Sequence, residues 1–153
     1  MMKLTTKGRY AVMAMADLAS NIKAKPISLA EISVRQNISL AYLEQIFIKL
    51  KKNKLVKSAR GANGGYVLEK APSEIKLSSI IFAVDEEVKM LNCKKHSKKG
   101  CNNKSTKCIT HNLWDQLDKH INGFFEKIKL QDILQINYME NNEKSKHRQQ
   151  SRI

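Results

Sequence analysis

All three cysteines of this 153-residue chain, Cys93, Cys101 and Cys108, fall within one stretch, CKKHSKKGCNNKSTKCITH, at residues 93–111. The stretch ends on His111, holds six lysines and contains no acid. Thiolates and imidazole are the ligands that zinc and iron–sulfur clusters take. The spacing is C-x7-C-x6-C-x2-H. Structural zinc sites usually draw on tighter loops such as C-x2-C, so loops of this length favour a larger centre while leaving both open. Cys108 and His111 lie three apart at the expected start of a helix, which would project them from one face. Cys93 and Cys101 sit on a glycine-containing loop able to wrap around a centre. His96 is a rival fourth ligand, set among lysines. The lysines would favour the thiolate forms and offset the charge of about −1 that this ligand set leaves on either centre. An odd number of cysteines with no export signal argues against a disulfide framework. No nucleophile–base pairing, phosphate loop or paired carboxylates point to an enzyme.

The elements that must position this segment are legible upstream. The spacing of Tyr10, Met13, Ala14 and Leu18 predicts a first helix over about Thr6 to Ser20. Ser28 and Glu31 form a capping-box signature for a short second helix running to about Arg35. After the QNI turn, Ser39 caps a third helix over about Leu40 to Asn53, with Leu43, Ile46, Phe47 and Leu50 facing the core. Its other face carries Ala41, Glu44, Gln45, Lys49 and Lys52. Two helices joined by a short turn, the second basic and polar outside, are the pattern of a helix-turn-helix. LVKSAR then reads as a strand, GANGG as a turn and YVLEK as a return strand. A hairpin after a recognition-type helix makes a wing, and Arg60 stands at its tip.

Leu77, Ile80, Ile81 and Val84 predict a short closing helix. A long helix is expected from about Thr106 to Lys127. Leu113, Leu117, Ile121, Phe124 and Ile128 lie on one side of it, flanked by Trp114 and Phe125. So much apolar surface on a protruding helix calls for a second copy to cover it. The tail from Asn141 is polar and expected to be disordered. The expected organisation is a DNA-binding domain over 1–88, a ligand loop over 89–111, a dimerisation helix region over 112–138 and a tail over 139–153. The fold class is mainly α with a small β-hairpin wing.

The net charge is +14, and residues 1–70 alone carry 13 basic and 4 acidic side chains, giving +9. A positive front half favours a polyanionic partner, nucleic acid before an anionic membrane surface. No stretch approaches 18 consecutive apolar residues, so no membrane span is expected. The amphipathic N-terminus contains Asp17 and reads as a helix of the fold rather than a leader. The expected location is the cytoplasm.

The stretches LTTKGRYAV, ISLAYLEQIF, KLKKNKLVKSARG, GGYVL, AVDE and THNLWDQL together resemble the Rrf2 family of bacterial transcription regulators, over about Met2 to Leu134. The resemblance implies a winged-helix homodimer seamed by the long C-terminal helix and bound to a double-stranded DNA operator. It implies a [2Fe–2S] cluster on Cys93, Cys101, Cys108 and His111, with zinc as the alternative centre and a cluster-assembly scaffold as the cluster's donor. It places Ser39, Ala41, Tyr42, Glu44, Gln45 and Arg60 at DNA-contacting positions. Four features depart from the family pattern. The inter-cysteine spacings are longer, Ala41 stands where a serine is common, the wing turn lacks its usual proline, and the net charge of +14 is more basic than is typical. A nitric-oxide-sensing member of the family, a zinc-stabilised regulator and a small iron–sulfur electron carrier are the rival readings.

Overall fold

In the computed structural model the described residues are 5–21, 25–86 and 107–136. Cys93, His96 and Cys101 lie outside them, as does the tail expected to be disordered. Helix α1, Thr6–Ser20, buries Ala11, Ala14, Met15 and Leu18, an i, i+3, i+4, i+7 stripe. Met13, placed inside by the sequence pattern, stays at the surface because this stripe lies one step round the helix. Helix α2, Leu29–Gln36, opens with the expected capping box. The Ser28 hydroxyl accepts from the Glu31 amide at 3.2 Å, and the Glu31 carboxylate accepts from the Ser28 amide at 2.8 Å. The Ser28 amide, and the Ser28 hydroxyl at 2.9 Å, donate to the Glu31 carboxylate and hold its pKa below the usual carboxylate range.

Helix α3, Leu40–Lys52, seats Leu43, Ile46, Phe47 and Leu50 in the core. Ser39 is its N-cap residue, but its side chain makes no capping hydrogen bond. A buried carboxylate locks the first two helices together. Asp17 accepts from Arg35 Nη2 at 2.7 Å, from Arg35 Nε at 3.0 Å and from Gln36 Nε2 at 2.7 Å. A charge taken out of water is tolerated only when paired and hydrogen-bonded in this way.

Strands β1, Val56–Ala59, and β2, Gly65–Leu68, pair antiparallel with Val56 opposite Leu68 and Ala59 opposite Gly65. The return strand therefore begins at Gly65, one residue before the expected YVLEK, and ends at Leu68, two residues before its end. A third segment joins it, because the Tyr66 amide donates to the Ile27 carbonyl at 2.8 Å and the Ile27 amide donates back at 3.0 Å. Helix α4, Leu77–Ala83, buries Ile80, Ile81 and, just past its end, Val84.

Helix α5 spans His111–Lys127, not Thr106 to Lys127. Lys107 and Cys108 carry no regular secondary structure, and Ile109 and Thr110 form a turn. Ile109 is fully exposed, so no burial supports another helical turn there, and Thr110 takes the N-cap position. Past α5, the Leu130 amide donates to the Ile75 carbonyl at 2.9 Å and the Leu130 side chain enters the core. Residues 130–136 are helical. The base of α5 is thereby tied to the winged unit, and Lys76 pairs with Glu126 at 2.9 Å beside it.

Three helices stop by the same device. Asn37, Lys54 and Asp85 adopt left-handed backbone at φ 52°, 56° and 55°. The next amide in each case reaches back five residues: Ile38 to Ser33, Leu55 to Leu50 and Glu86 to Ile81. These are Schellman ends built without glycine.

Glycine is required at position 65. A Cβ there would lie 2.4 Å from the Ile27 carbonyl oxygen and 2.5 Å from its carbon. Gly65→Ala should destabilise the fold by about 1–3 kcal/mol, the usual range for overpacking against a fixed neighbour, read as a lowered Tm by circular dichroism.

Candidate nucleic-acid interface and ligand segment

The core stripe of α3 dictates what its other face presents. With Leu43, Ile46, Phe47 and Leu50 inside, Ala41, Glu44, Gln45, Ile48 and Lys52 are left exposed. Ile48, two-thirds exposed, was not anticipated; its signal is an apolar residue off the core stripe of an otherwise polar face. Tyr42 is half-buried because its ring packs edge-on against Tyr10 of α1, with centroids 5.8 Å apart. An open cleft of about 500 Å³ lies beside this pair. Thr6 and Tyr10 line it from α1, and Ser39, Ala41, Tyr42 and Gln45 from the start of α3. Four of the six sequence-predicted DNA-contacting residues are thus brought to one wall. Glu44 is exposed on the same helix, and Arg60 is exposed where β1 ends, in the wing. Lys51 Nζ donates to Ser58 Oγ at 2.7 Å and ties α3 to that strand.

Charges at the far end of α3 are organised by residues that the sequence did not single out. The Lys49 ammonium contacts the Asp85 carboxylate, and Lys7 of α1 stands beside Lys49. Asp85 raises the Lys49 pKa, while the neighbouring ammonium of Lys49 lowers that of Lys7. The contact with Lys49 in turn lowers the Asp85 pKa. Glu86 is buried; its Oε1 accepts from the Thr5 amide at the start of α1. A carboxylate at a helix N-terminus meets the positive end of the helix dipole. The available signal was the pair of acids closing AVDE, right after an apolar helix in a basic chain.

Of the four predicted ligands, the structure describes Cys108 and His111. Both are half-buried, and the His111 amide donates to the Cys108 carbonyl at 3.0 Å. They are joined by one turn at the base of α5 rather than lying on one helical face, because Cys108 precedes the helix. The Cys108 thiol lies 3.7 Å from the Thr110 hydroxyl. Among the described residues no three His, Cys, Asp or Glu side chains gather into a metal site. A thiol and an imidazole, both partly withdrawn from water, are donors that suit either zinc or an iron–sulfur cluster.

Residues 4–136 match the family described as Rrf2, iron-dependent transcriptional regulator. The chain belongs to the Rrf2 family. Among Rrf2 relatives, the HTH-type transcriptional regulator IscR of Photorhabdus laumondii is 49% identical over 133 residues, covering 87% of this chain and 79% of that protein. IscR of Serratia proteamaculans is 47% identical over 148 residues, covering 93% of this chain and 88% of its own. Among solved structures, T. potens IscR superposes with a TM-score of 0.70 at 37% identity, covering 89% of this chain and 88% of that one. CymR, the global cysteine regulator of B. subtilis, gives 0.74 at 30% identity, covering 89% and 98%. As an Rrf2 protein the chain is a DNA-binding transcription regulator of the IscR type, built as a winged helix. No helix among its described residues is long and apolar enough to cross a membrane.

If the exposed face of α3 reads bases, Gln45→Ala should weaken operator binding at least tenfold while binding to unrelated duplex changes little. Arg60→Ala, removing a phosphate or minor-groove contact, should weaken both and reduce the salt slope of binding by about 1. Fluorescence anisotropy titrations across a salt series check both.

Proposed function

We propose that this regulator binds its operator as a homodimer and carries a [2Fe–2S] cluster whose occupancy sets which DNA it holds. The observation that carries the cluster half is the pairing of Cys108 and His111 at the base of the helix that would form the dimer seam. The sequence supplies Cys93 and Cys101 as the remaining ligands, and the relatives named IscR support the assignment. A cluster bound there supplies oxidation-sensitive, reversible iron–thiolate bonding. The chain's own part is to donate three thiolates and one imidazole, with the loop lysines offsetting the resulting negative charge. One histidine among the thiolates makes such a centre easier to lose than an all-cysteine one, as suits a sensor. A cluster-assembly scaffold is the natural donor.

Dimerisation is supported by α5 itself. Leu113, Trp114 and Phe124 are 58%, 39% and 53% exposed, and a second copy laid along the helix would bury them. A two-fold dimer sets two α3 helices about one DNA turn apart, so the operator is expected to be a rough palindrome. In each half-site Gln45 would read adenine and Ile48 would touch a thymine methyl. Glu44 would accept from cytosine N4, or repel a duplex that lacks a partner for it, and so select between operators. Ser39, Ala41 and Tyr42 would sit against the backbone beside the cleft, with Arg60 on a phosphate or in the minor groove.

Zinc on the same ligands is the second reading, because the donors suit it too. The visible absorption spectrum of anaerobically purified protein, taken with iron, sulfide and zinc analysis, separates the two. The expected result is sulfide-to-iron charge-transfer bands that Cys108→Ala abolishes. Colourless protein that stays colourless after incubation with iron and sulfide, and holds one zinc per chain, overturns the cluster reading.

A further inference from the structure

Asp85 stands at the left-handed C-terminal position of α4, where glycine or asparagine is the usual occupant. Its carboxylate contacts Lys49, but both groups are substantially exposed, and surface ion pairs contribute little to stability. The fold would be better served by glycine at this position. Asn37 and Lys54 end their helices on the same left-handed backbone, so what sets Asp85 apart is what its carboxylate and the next residue hold. The next residue, Glu86, is buried and holds the Thr5 amide through one oxygen, while its Oε2 has no hydrogen-bond partner among the described residues. The two acids therefore grip the two elements that frame the cleft, α3 through Lys49 and the start of α1 through Thr5. Lys7, on α1, is drawn into the same group beside Lys49. Asn53 Nδ2, at the end of α3, adds a weaker bond to the Ala83 carbonyl of α4 at 3.4 Å.

We infer that Asp85 and Glu86 are positioning residues for DNA reading: they fix α3 and the start of α1 relative to each other, so that the recognition face meets the duplex in one register. Asp85 also has an electrostatic part. It engages Lys49, and through it the Lys7–Lys49 pair, which would otherwise be two free cations next to the DNA-facing surface. Removing the carboxylate loosens α3 while leaving that positive charge uncompensated. Operator binding should weaken, and binding to an unrelated duplex should hold or strengthen.

The inference rests on α3 as the base-contacting helix, so the test carries an independent control on that reading. The full-length protein is used to select an operator from a random duplex library. Affinities for that operator and for an unrelated duplex are then measured for the parent, Asp85→Gly, Asp85→Asn, Glu86→Gln, Glu86→Ala and Gln45→Ala. Asp85→Gly relieves the backbone strain, so its Tm should match or exceed the parent's. Its ratio of operator to unrelated-duplex affinity should nonetheless fall at least tenfold. Asp85→Asn tolerates the left-handed backbone but lacks the charge, and should lower the ratio in the same direction; it decides the question if the glycine variant folds poorly. Glu86→Gln keeps an acceptor for the Thr5 amide and should retain more of the ratio than Glu86→Ala. An Asp85→Gly ratio equal to the parent's, with Gln45→Ala still reducing operator binding, overturns the inference and leaves the reading of α3 intact. Equal gains on both duplexes also overturn it, because Asp85 would then act only as a charge. A Gln45→Ala variant that binds like the parent would instead remove the premise about α3.

Discussion

The close approach of the wing to the chain ahead of α2 depends on one missing side chain. Gly65 lies against the Ile27 peptide, and a Cβ would overlap its carbonyl. Because position 65 is bare, Tyr66 exchanges two hydrogen bonds with Ile27, and its ring packs on Phe47 of α3 with centroids 4.8 Å apart. One contact thereby joins the wing, the lead-in to α2 and the recognition helix. The Lys51–Ser58 bond and the pair between Arg35 and buried Asp17 extend the same rigid unit to β1 and α1. A helix presented to DNA must hold its register against thermal motion, and these ties supply that constraint.

At the other end of α3 the construction is different. Lys49, Lys7 and Asp85 form a polar junction at the surface, continued inward by buried Glu86 and the Thr5 amide. Such a junction adds little stability but fixes direction, since charge-assisted bonds are short and oriented. Along the chain, α3 is followed by Asp85 and Glu86 of this junction and then by the Cys108–His111 turn at the base of α5.

Much of the fold was legible because each cue had a single physical meaning. The Ser28–Glu31 box allowed only a helix start, and the apolar stripe of α3 allowed only one face inward. The glycines around Asn63 allowed only a turn. The start of α5 was misread because T-K-C-I-T carries no signal against helix; the exposure of Ile109 decides the boundary, and exposure is a tertiary property. Met13 was misplaced because two stripes one residue apart fit α1 equally until its neighbours choose between them. The partners of Asp85 and Glu86 could not be read at all, since they lie on α3 and ahead of α1, far away in the sequence. At the ligand segment the residue types were clear, and the Cys108–His111 adjacency holds through a turn rather than along a helix. Membership of the Rrf2 family rests on a match over residues 4–136 that follows the chained motifs and agrees with the winged-helix fold.

The most direct test of the account is the affinity of one preparation for its selected operator, measured anaerobically with the cluster in place and again after its removal by chelation. The account predicts a difference of at least tenfold between the two forms on the operator, with affinity for unrelated duplex nearly unchanged. Equal operator affinities with and without the cluster would contradict it, leaving a winged-helix regulator whose ligand segment does not govern its DNA binding.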